Sequence, residues 1–319
     1  MMSDLYLKFI ESNKLFWSGV NKKDDDNGYL LYEVFYSEPA MIYGITKTAL
    51  MIAEIKKLKP VGVESLNVSS DNHALNLSMN ENVIGNKKDF LLSFLKNILP
   101  IARCFNSIKT GADLLHLNIG KYRVGPYLYD AILRALSIPV VNILDVKIKK
   151  RVILELCYFF YFKDLIETKN IKAVVIGDNV YRYGFLFELA KYNGVECISP
   201  INLNAYTLRK YSKFEDFSLH DRTPDNTVLD NLNMEEVDMY IDEYFSKRFS
   251  ADIEQHDVLK AFSKNKRILS RSELVEEYDL QDELPIVIVM AHIFSDAPHA
   301  YPGTIYDNYH DWFYETVRC

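Results

Sequence analysis

Apolar and polar positions along the chain fall into blocks that switch between a strand-like and a helix-like period. "YLLYEVFY" (29–36) is continuously apolar and β-prone and stops at Ser37-Glu38-Pro39. "AMIYGITKTALMIAEIKKLK" (40–59) then carries helical spacing, and "PVGVESLNV" (60–68) reads as a second strand. That strand–helix–strand order predicts a βαβ unit with parallel strands. Ser-Glu-Pro ahead of the helix suits a helix start, because proline at the first turn loses no hydrogen bond. Residues 69–87 are polar and Asn-rich and read as loop. "DFLLSFLKNIL" (89–99) predicts a helix, "ADLLHLNI" (112–119) a strand, and "GPYLYDAILRAL" (125–136) a helix beginning near Pro126. "PVVNILDV" (139–146) fits either period. A long helix is expected over "KRVILELCYFFYFKDLIETKN" (150–170), followed by the cleanest strand, "KAVVIGD" (172–178). "VYRYGFLFELAKYNG" (180–194) predicts a helix closed by Gly194, and "VECISP" (195–200) another strand.

Repeated β-loop-α units predict an α/β fold, a Rossmann-like doubly wound parallel sheet over residues 1–215. Residues 216–283 are acidic, contain helical stretches such as "MEEVDMYIDEYFSKRF" and lack a strand signal, so they read as a helical connector. "LPIVIVMAH" then opens a new strand and "YDNYHDWFYETV" the helix after it. Residues 284–319 thus read as the first strand, loop and helix of a second α/β lobe. Ligands of such sheets bind at the carboxyl ends of the strands. This directs attention to Glu38, Tyr122 and Arg123, Asp178 and Tyr181, and His292.

The length of 319 residues exceeds a typical domain of roughly 100–200, which agrees with two lobes. With 22 Tyr and 18 Phe the chain has material for clefts that suit sugars, although A/T-rich coding produces the same bias. A formal net charge of −7 argues against non-specific nucleic-acid binding, which needs a basic surface. The basic clusters Lys56-Lys57 with Lys59, and Lys147 with Lys149-Lys150-Arg151, are short and read as solvated helix ends. The second precedes an aromatic helix and leaves a weak attraction to anionic lipid open. Four cysteines with no CxxC pair fit reduced thiols in a cytoplasm. The amino terminus is amphipathic and mixed in charge, unlike a signal peptide. No apolar run approaches the ~20 residues that span a bilayer, and "VILELCYFFYF" (152–162) reads as a buried helix face.

Three of the seven histidines, His292, His299 and His310, lie in the last 28 residues. His292 and His299 are separated by a loop containing Pro298, and their ligand set is too incomplete for zinc, so no metal is expected. No GxSxG elbow, Walker A sequence or GxGxxG fingerprint is present. "HIFSDAPH" reads in two ways: a strand-end loop in which His292 acts as a base or binds an anion, or a loop whose Ser295 and Asp296 only make turns and caps. Glu38 can deprotonate a sugar hydroxyl or simply favour the next helix through its dipole. Asp130 and Arg134 are four apart on one helix, where an ion pair between them is favoured over ligand contact. Asp178 or Asn179 can cap the following helix without excluding a ligand contact by Tyr181. His73, His116, His220 and His256 have no recognisable partner and read as structural or surface.

Four stretches carry a family resemblance: "YLLYEVFYSEPAMIYGITKTALMIAEIKKLKPVGV", "GKYRVGPYLYDAILRAL", "IKAVVIGDNVYRYGFLFELAKYNGVECI" and "IVIVMAHIFSDAPHAYPGTIYDNYHDWFYETV". In this order they resemble segments of bacterial surface-polysaccharide biosynthesis proteins. That group is the capsule and O-antigen glycosyltransferase-like proteins of the two-lobed GT-B type. Its most specific parts here are Gly125, Tyr129, Asp130 and Arg134, and the block with His292, Ser295, Asp296 and His299. Two departures stand out. Asp178-Asn179 precedes Val180-Tyr181 where relatives tend to have Ser-His, and the donor-binding lobe is represented only by its beginning. The expectation is a fragment, a shortened gene product or a protein completed by a partner.

The resemblance implies transfer of a hexosyl or ulosonic-acid unit from a nucleotide-sugar donor to a glycan or lipid-linked glycan, without bound metal or cofactor. Helix N-termini and side-chain donors would handle charge on the leaving phosphate, and Glu38 or His292 would serve as base. Tyr129, Asp130, Arg134, Asp178, Tyr181, Ser295, Asp296 and His299 would contact substrate, in a cleft closed by lobe motion. A cytoplasmic location follows, with peripheral association at the inner membrane face left open. The alternative is a non-catalytic acceptor-binding or assembly module left by truncation. An unrelated epimerase or hydrolase lacks its motifs here.

Overall fold

A computed structural model describes residues 4–18, 27–35, 39–66, 69–84, 87–202, 207–211, 232–249, 269–299, 306 and 308–318. The chain forms two compact units, Met1–Ser218 together with Ala291–Cys319, and Leu219–Met290.

The larger unit is built on a six-stranded sheet. Its strands are β1 (Tyr29–Val34), β2 (Lys59–Glu64), β3 (Val83–Ile84), β6 (Ile171–Val175), β7 (Glu196–Asn202) and β8 (Thr207–Tyr211), in the order β3-β2-β1-β6-β7-β8. All neighbours pair in parallel except β7 and β8, which are antiparallel. The chain winds outward from β1 to β3, then returns to β1's other side with β6. Strand order therefore reverses between β1 and β6, where doubly wound sheets open a crevice at their carboxyl edge. A separate hairpin, β4 (Asn118–Ile119) and β5 (Tyr122–Arg123), precedes α6 (Gly125–Leu136).

Both faces of the sheet are covered, as a parallel sheet requires. Leu30, Tyr32 and Val34 pack on Ile42, Ile45 and Ala49 of α2 (Pro39–Lys56). Leu31, Val61 and Val174 enter the larger core with α6, α7 (Val146–Thr168) and α8 (Tyr183–Tyr192). The aromatic run of α7 is a buried face: Phe159 and Phe162 are fully enclosed. Gly194 follows α8 at φ +67°, the left-handed conformation that lets a helix end without Cβ strain.

Three expectations change. Residues 70–79 form α3 (Ser70–Met79) rather than loop, because the Ser69 side chain caps the Asn72 amide and buried asparagines find partners. The strand expected over 112–119 begins instead as α5 (Gly111–Leu115), held by a Thr110–Asp113 capping box. The helix expected over 89–99 is α4 (Lys87–Ser107), and α1 (Asp4–Trp17) precedes the sheet. Residues 286–290 form no strand: no ladder partner lies beside them among the described residues, and Val287, Ile288 and Met290 are 80, 76 and 87% exposed. The smaller unit contains α9 (Met234–Phe249) and α10 (Arg271–Glu277), the latter opened by a Ser270–Glu273 capping box. Helix α11 (Tyr309–Arg318) lies in the larger unit.

Candidate functional site

Three pieces of the larger unit converge: the inner end of α6, the loop from β6 into α8, and residues 292–299. Helix α6 starts with proline in its first turn and is buried along most of its length. It approaches α8 through Gly184, where an added Cβ would stand 2.0 Å from the Tyr127 ring. Only glycine permits that contact, and it sets the spacing between two walls of the site.

Asp130 is fully buried, and both its oxygens accept from one residue. His299 Nδ1 lies 2.5 Å from Oδ1, and the His299 amide donates to Oδ2 at 3.2 Å. The Tyr129 ring meets the His299 ring edge-on at 4.6 Å, and the Tyr129 hydroxyl accepts from the Val141 amide. Burial pushes the Asp130 carboxyl above the ordinary range, while the three contacts from His299 pull it back. The expected Asp130–Arg134 pair does not form. Asp130 turns into the core, whereas the Arg134 side chain is 55% exposed and stands 3.7 Å from Asp296.

Asp296 is the centre of a second, more open cluster. It accepts the Tyr181 hydroxyl, faces the Arg134 guanidinium, and has His292 Nε2 3.9 Å away. The Arg134 guanidinium also lies 5.8 Å above the Tyr181 ring. Burial and the adjoining Asp296 raise the Tyr181 hydroxyl's pKa, so it remains a proton donor. His292 stacks on Tyr309 at 4.5 Å. Tyr181 and Ala297 both hold left-handed φ values, +52° and +51°, and Ala297 packs on Val180. Ser295 is buried at the same bend. Asp296 thus joins the two loops rather than capping a helix, and neither Asp178 nor Asn179 caps α8, whose N-cap is Arg182 without a side-chain bond. The Asp178 carboxylate instead accepts the Asn179 amide. Glu38 lies outside the described residues, as do His220 and His256.

The structure therefore brings together Tyr129, Asp130, Arg134, Tyr181, His292, Ser295, Asp296 and His299, with Asp178 on the same β6–α8 loop. Behind them Tyr183 stacks on Phe35, which follows β1, and Arg182 forms a two-pronged bond to buried Glu155 over the Tyr158 ring. Arg151 shares that carboxylate, so part of the basic 147–151 cluster is engaged inside the fold rather than solvated.

Two carboxylates escape sequence reasoning. Glu33, buried in β1, accepts the Gly177 amide at 2.7 Å and ties β1 to the end of β6. A charge inside an otherwise apolar strand was the available signal. Glu64 ends β2 and holds His73 Nδ1 at 2.7 Å and the Asn76 carboxamide at 3.2 Å, so His73 has a partner after all. No local spacing marks that pair, which forms across the β2–α3 loop. His116 bonds the Ala112 carbonyl. Among the described residues no set of three or more His, Cys, Asp and Glu side chains gathers as a metal site would require. No family model, curated protein or solved structure matches the chain significantly.

Proposed function

We propose that this chain handles sugars as the acceptor-side lobe of a glycosyltransferase of bacterial surface-polysaccharide biosynthesis. The observation that carries the reading is the Asp296 cluster at the carboxyl edge of the sheet. It sets a carboxylate, a half-exposed guanidinium and the Tyr181 ring around one point. A carboxylate accepts from sugar hydroxyls, a guanidinium donates in fixed geometry to hydroxyl or phosphate oxygens, and a ring face covers the apolar side of a pyranose. The donor is a nucleotide-sugar and the acceptor a glycan or lipid-linked glycan. His292 stands at the rim, where its imidazole can take the proton of an attacking hydroxyl as the sugar–phosphate bond breaks. Glu38 is the alternative base, by its position after β1.

A second reading is a non-catalytic acceptor-binding module. It is favoured by the degree to which the cluster satisfies itself: Asp130 and His299 are spent on each other, and His292 is covered on one face by Tyr309. Isothermal titration with nucleotide-sugars and with surface glycans separates the two. The enzyme reading expects the glycan to bind, at least about tenfold more weakly in Arg134→Ala and in Asp296→Asn since each removes a charged hydrogen bond, and nucleotide-sugar to bind in addition. Glycan binding without nucleotide-sugar binding supports the module. If neither ligand binds the folded chain, both readings fall.

A further inference from the structure

Helix α4 is apolar on two sides. Its inner side carries Ile101 and Ser93 into the core, next to α7. Its outer side exposes Leu91, Leu92, Leu95, Ile98 and Leu99 at 54, 56, 55, 47 and 66%. These positions follow the i, i+3, i+4, i+7 spacing of one helical face, so the five side chains form a continuous stripe. A soluble helix that covers a core ordinarily turns a polar face to water. An apolar stripe on the outer face marks a docking surface.

Charge identifies the occupant. Helix α4 carries four exposed basic residues, Lys87, Lys88, Lys96 and Arg103, against one half-buried acidic residue, Asp89, in a chain whose net charge is −7. Lys87 and Lys88 stand at the head of the stripe, while Lys96 and Arg103 follow one flank. The nearest carboxylate on α7, Asp164, is already engaged by Ser93, Lys96 and Asn97. Leucines on one face bordered by lysine and arginine are the composition of helices that lie in the plane of an anionic bilayer. Leu92 and Lys96 also line a trough of about 460 Å³ between α4 and α7, floored by Tyr161 and Leu165. It adjoins a cavity of about 360 Å³ that shares Ile84, Leu165 and Lys169. Asp89 and Asp164 also line the trough, so the leucine stripe itself, rather than the trough, is the surface suited to acyl chains. No described helix is long and apolar enough to cross a membrane, so the contact is with its surface.

We infer that α4 docks this protein on anionic phospholipid bilayers, with Leu91, Leu92, Leu95, Ile98 and Leu99 in the interface and Lys87, Lys88 and Arg103 against the headgroups. The inference stands independently of the sugar-handling reading.

Sedimentation with vesicles tests it, using phosphatidylcholine alone and phosphatidylcholine containing phosphatidylglycerol. The full chain is expected to pellet with the anionic vesicles and to stay in solution with the neutral ones. Raising the salt concentration should release it, because surface charge is screened. Leu91→Glu with Leu95→Glu should lower the bound fraction at least about tenfold, while Lys87→Glu with Lys88→Glu should abolish the preference for anionic lipid. All four positions are exposed, so the circular dichroism melting curve should not move. Failure of the folded wild-type chain to pellet with anionic vesicles overturns the inference, as does binding unaffected by the leucine substitutions. A concentration-dependent dimer in analytical ultracentrifugation that Leu95→Glu dissociates, without vesicle binding, assigns the stripe to a second copy and overturns it equally.

Discussion

Val174 and Ile288 belong to runs of the same character, Ala173-Val174-Val175-Ile176 and Ile286-Val287-Ile288-Val289, and each run leads into a polar loop. The first is 0% exposed throughout and paired on both sides, by β1 and β7. In the second, Val287 and Ile288 stand in solvent, and no described strand pairs with the run. β-branched composition selects an extended backbone, but a strand exists only where a neighbour satisfies its amides and carbonyls. The two loops nevertheless meet, through Tyr181 and Asp296. Packing thus joins the polar ends of two segments whose apolar bodies have different fates.

Paired substitutions break that comparison most sharply. Val174→Asp buries an unpaired carboxylate in a central strand and should cost about 4 kcal/mol or more, or prevent folding, whereas Ile288→Asp should stay within about 0.5 kcal/mol. Urea denaturation of the two variants side by side measures both. Equal losses would mean that the 286–290 run has a packed role.

The next effect concerns how residues 292–299 are held to α6 within the larger unit. His299→Ala removes the imidazole from the buried Asp130 carboxylate, leaving only the backbone amide as donor, and should cost about 3 kcal/mol at neutral pH. Burial already raises the Asp130 carboxyl in the folded state, so folding favours its protonated form. The loss should therefore be largest above that raised value. It should shrink as the pH falls toward the ordinary carboxylate range, because protonation removes the uncompensated buried charge. Urea midpoints at neutral pH and at about pH 5 test the sign, and a loss that grows on acidification would contradict it.

Tyr181→Phe is milder. It removes one charge-assisted hydrogen bond at a half-open position and should cost about 1.5 kcal/mol. Amide exchange should speed up around 293–299 more than in β6, which would localise the effect to the junction. Uniform acceleration would show instead that the loop and the sheet unfold together.

Much of this was legible from pattern. β1, α2, β2, α6, β6, α8 and β7 follow from apolar period and helix-end chemistry, and the reversal of strand order marks the edge where polar residues gather. Contacts between distant segments were not legible. Asp130 and His299 are 169 residues apart, so the local i,i+4 partner looked better than the true one. Helical spacing puts Asp130 and Arg134 on one face but does not say that the first lies inside and the second at the rim. Helix α3 was hidden because its Asn72 and Asn76 look like loop residues and are in fact buried, Asn76 between Tyr32 and Glu64. The 286–290 run was misread because periodicity reports conformation and carries no information about a partner.

The close approach at Gly184 has a consequence for how related sequences can diverge. Arg134 stands half-exposed at the rim, so its exchange for another polar residue has little effect on packing. A side chain at 184 would displace Tyr127, and with it the helix that carries Tyr129, Asp130 and Arg134. Divergence at the rim therefore has to work around a fixed distance between two helices. In homologues, position 184 should depart from glycine only where position 127 has lost its ring.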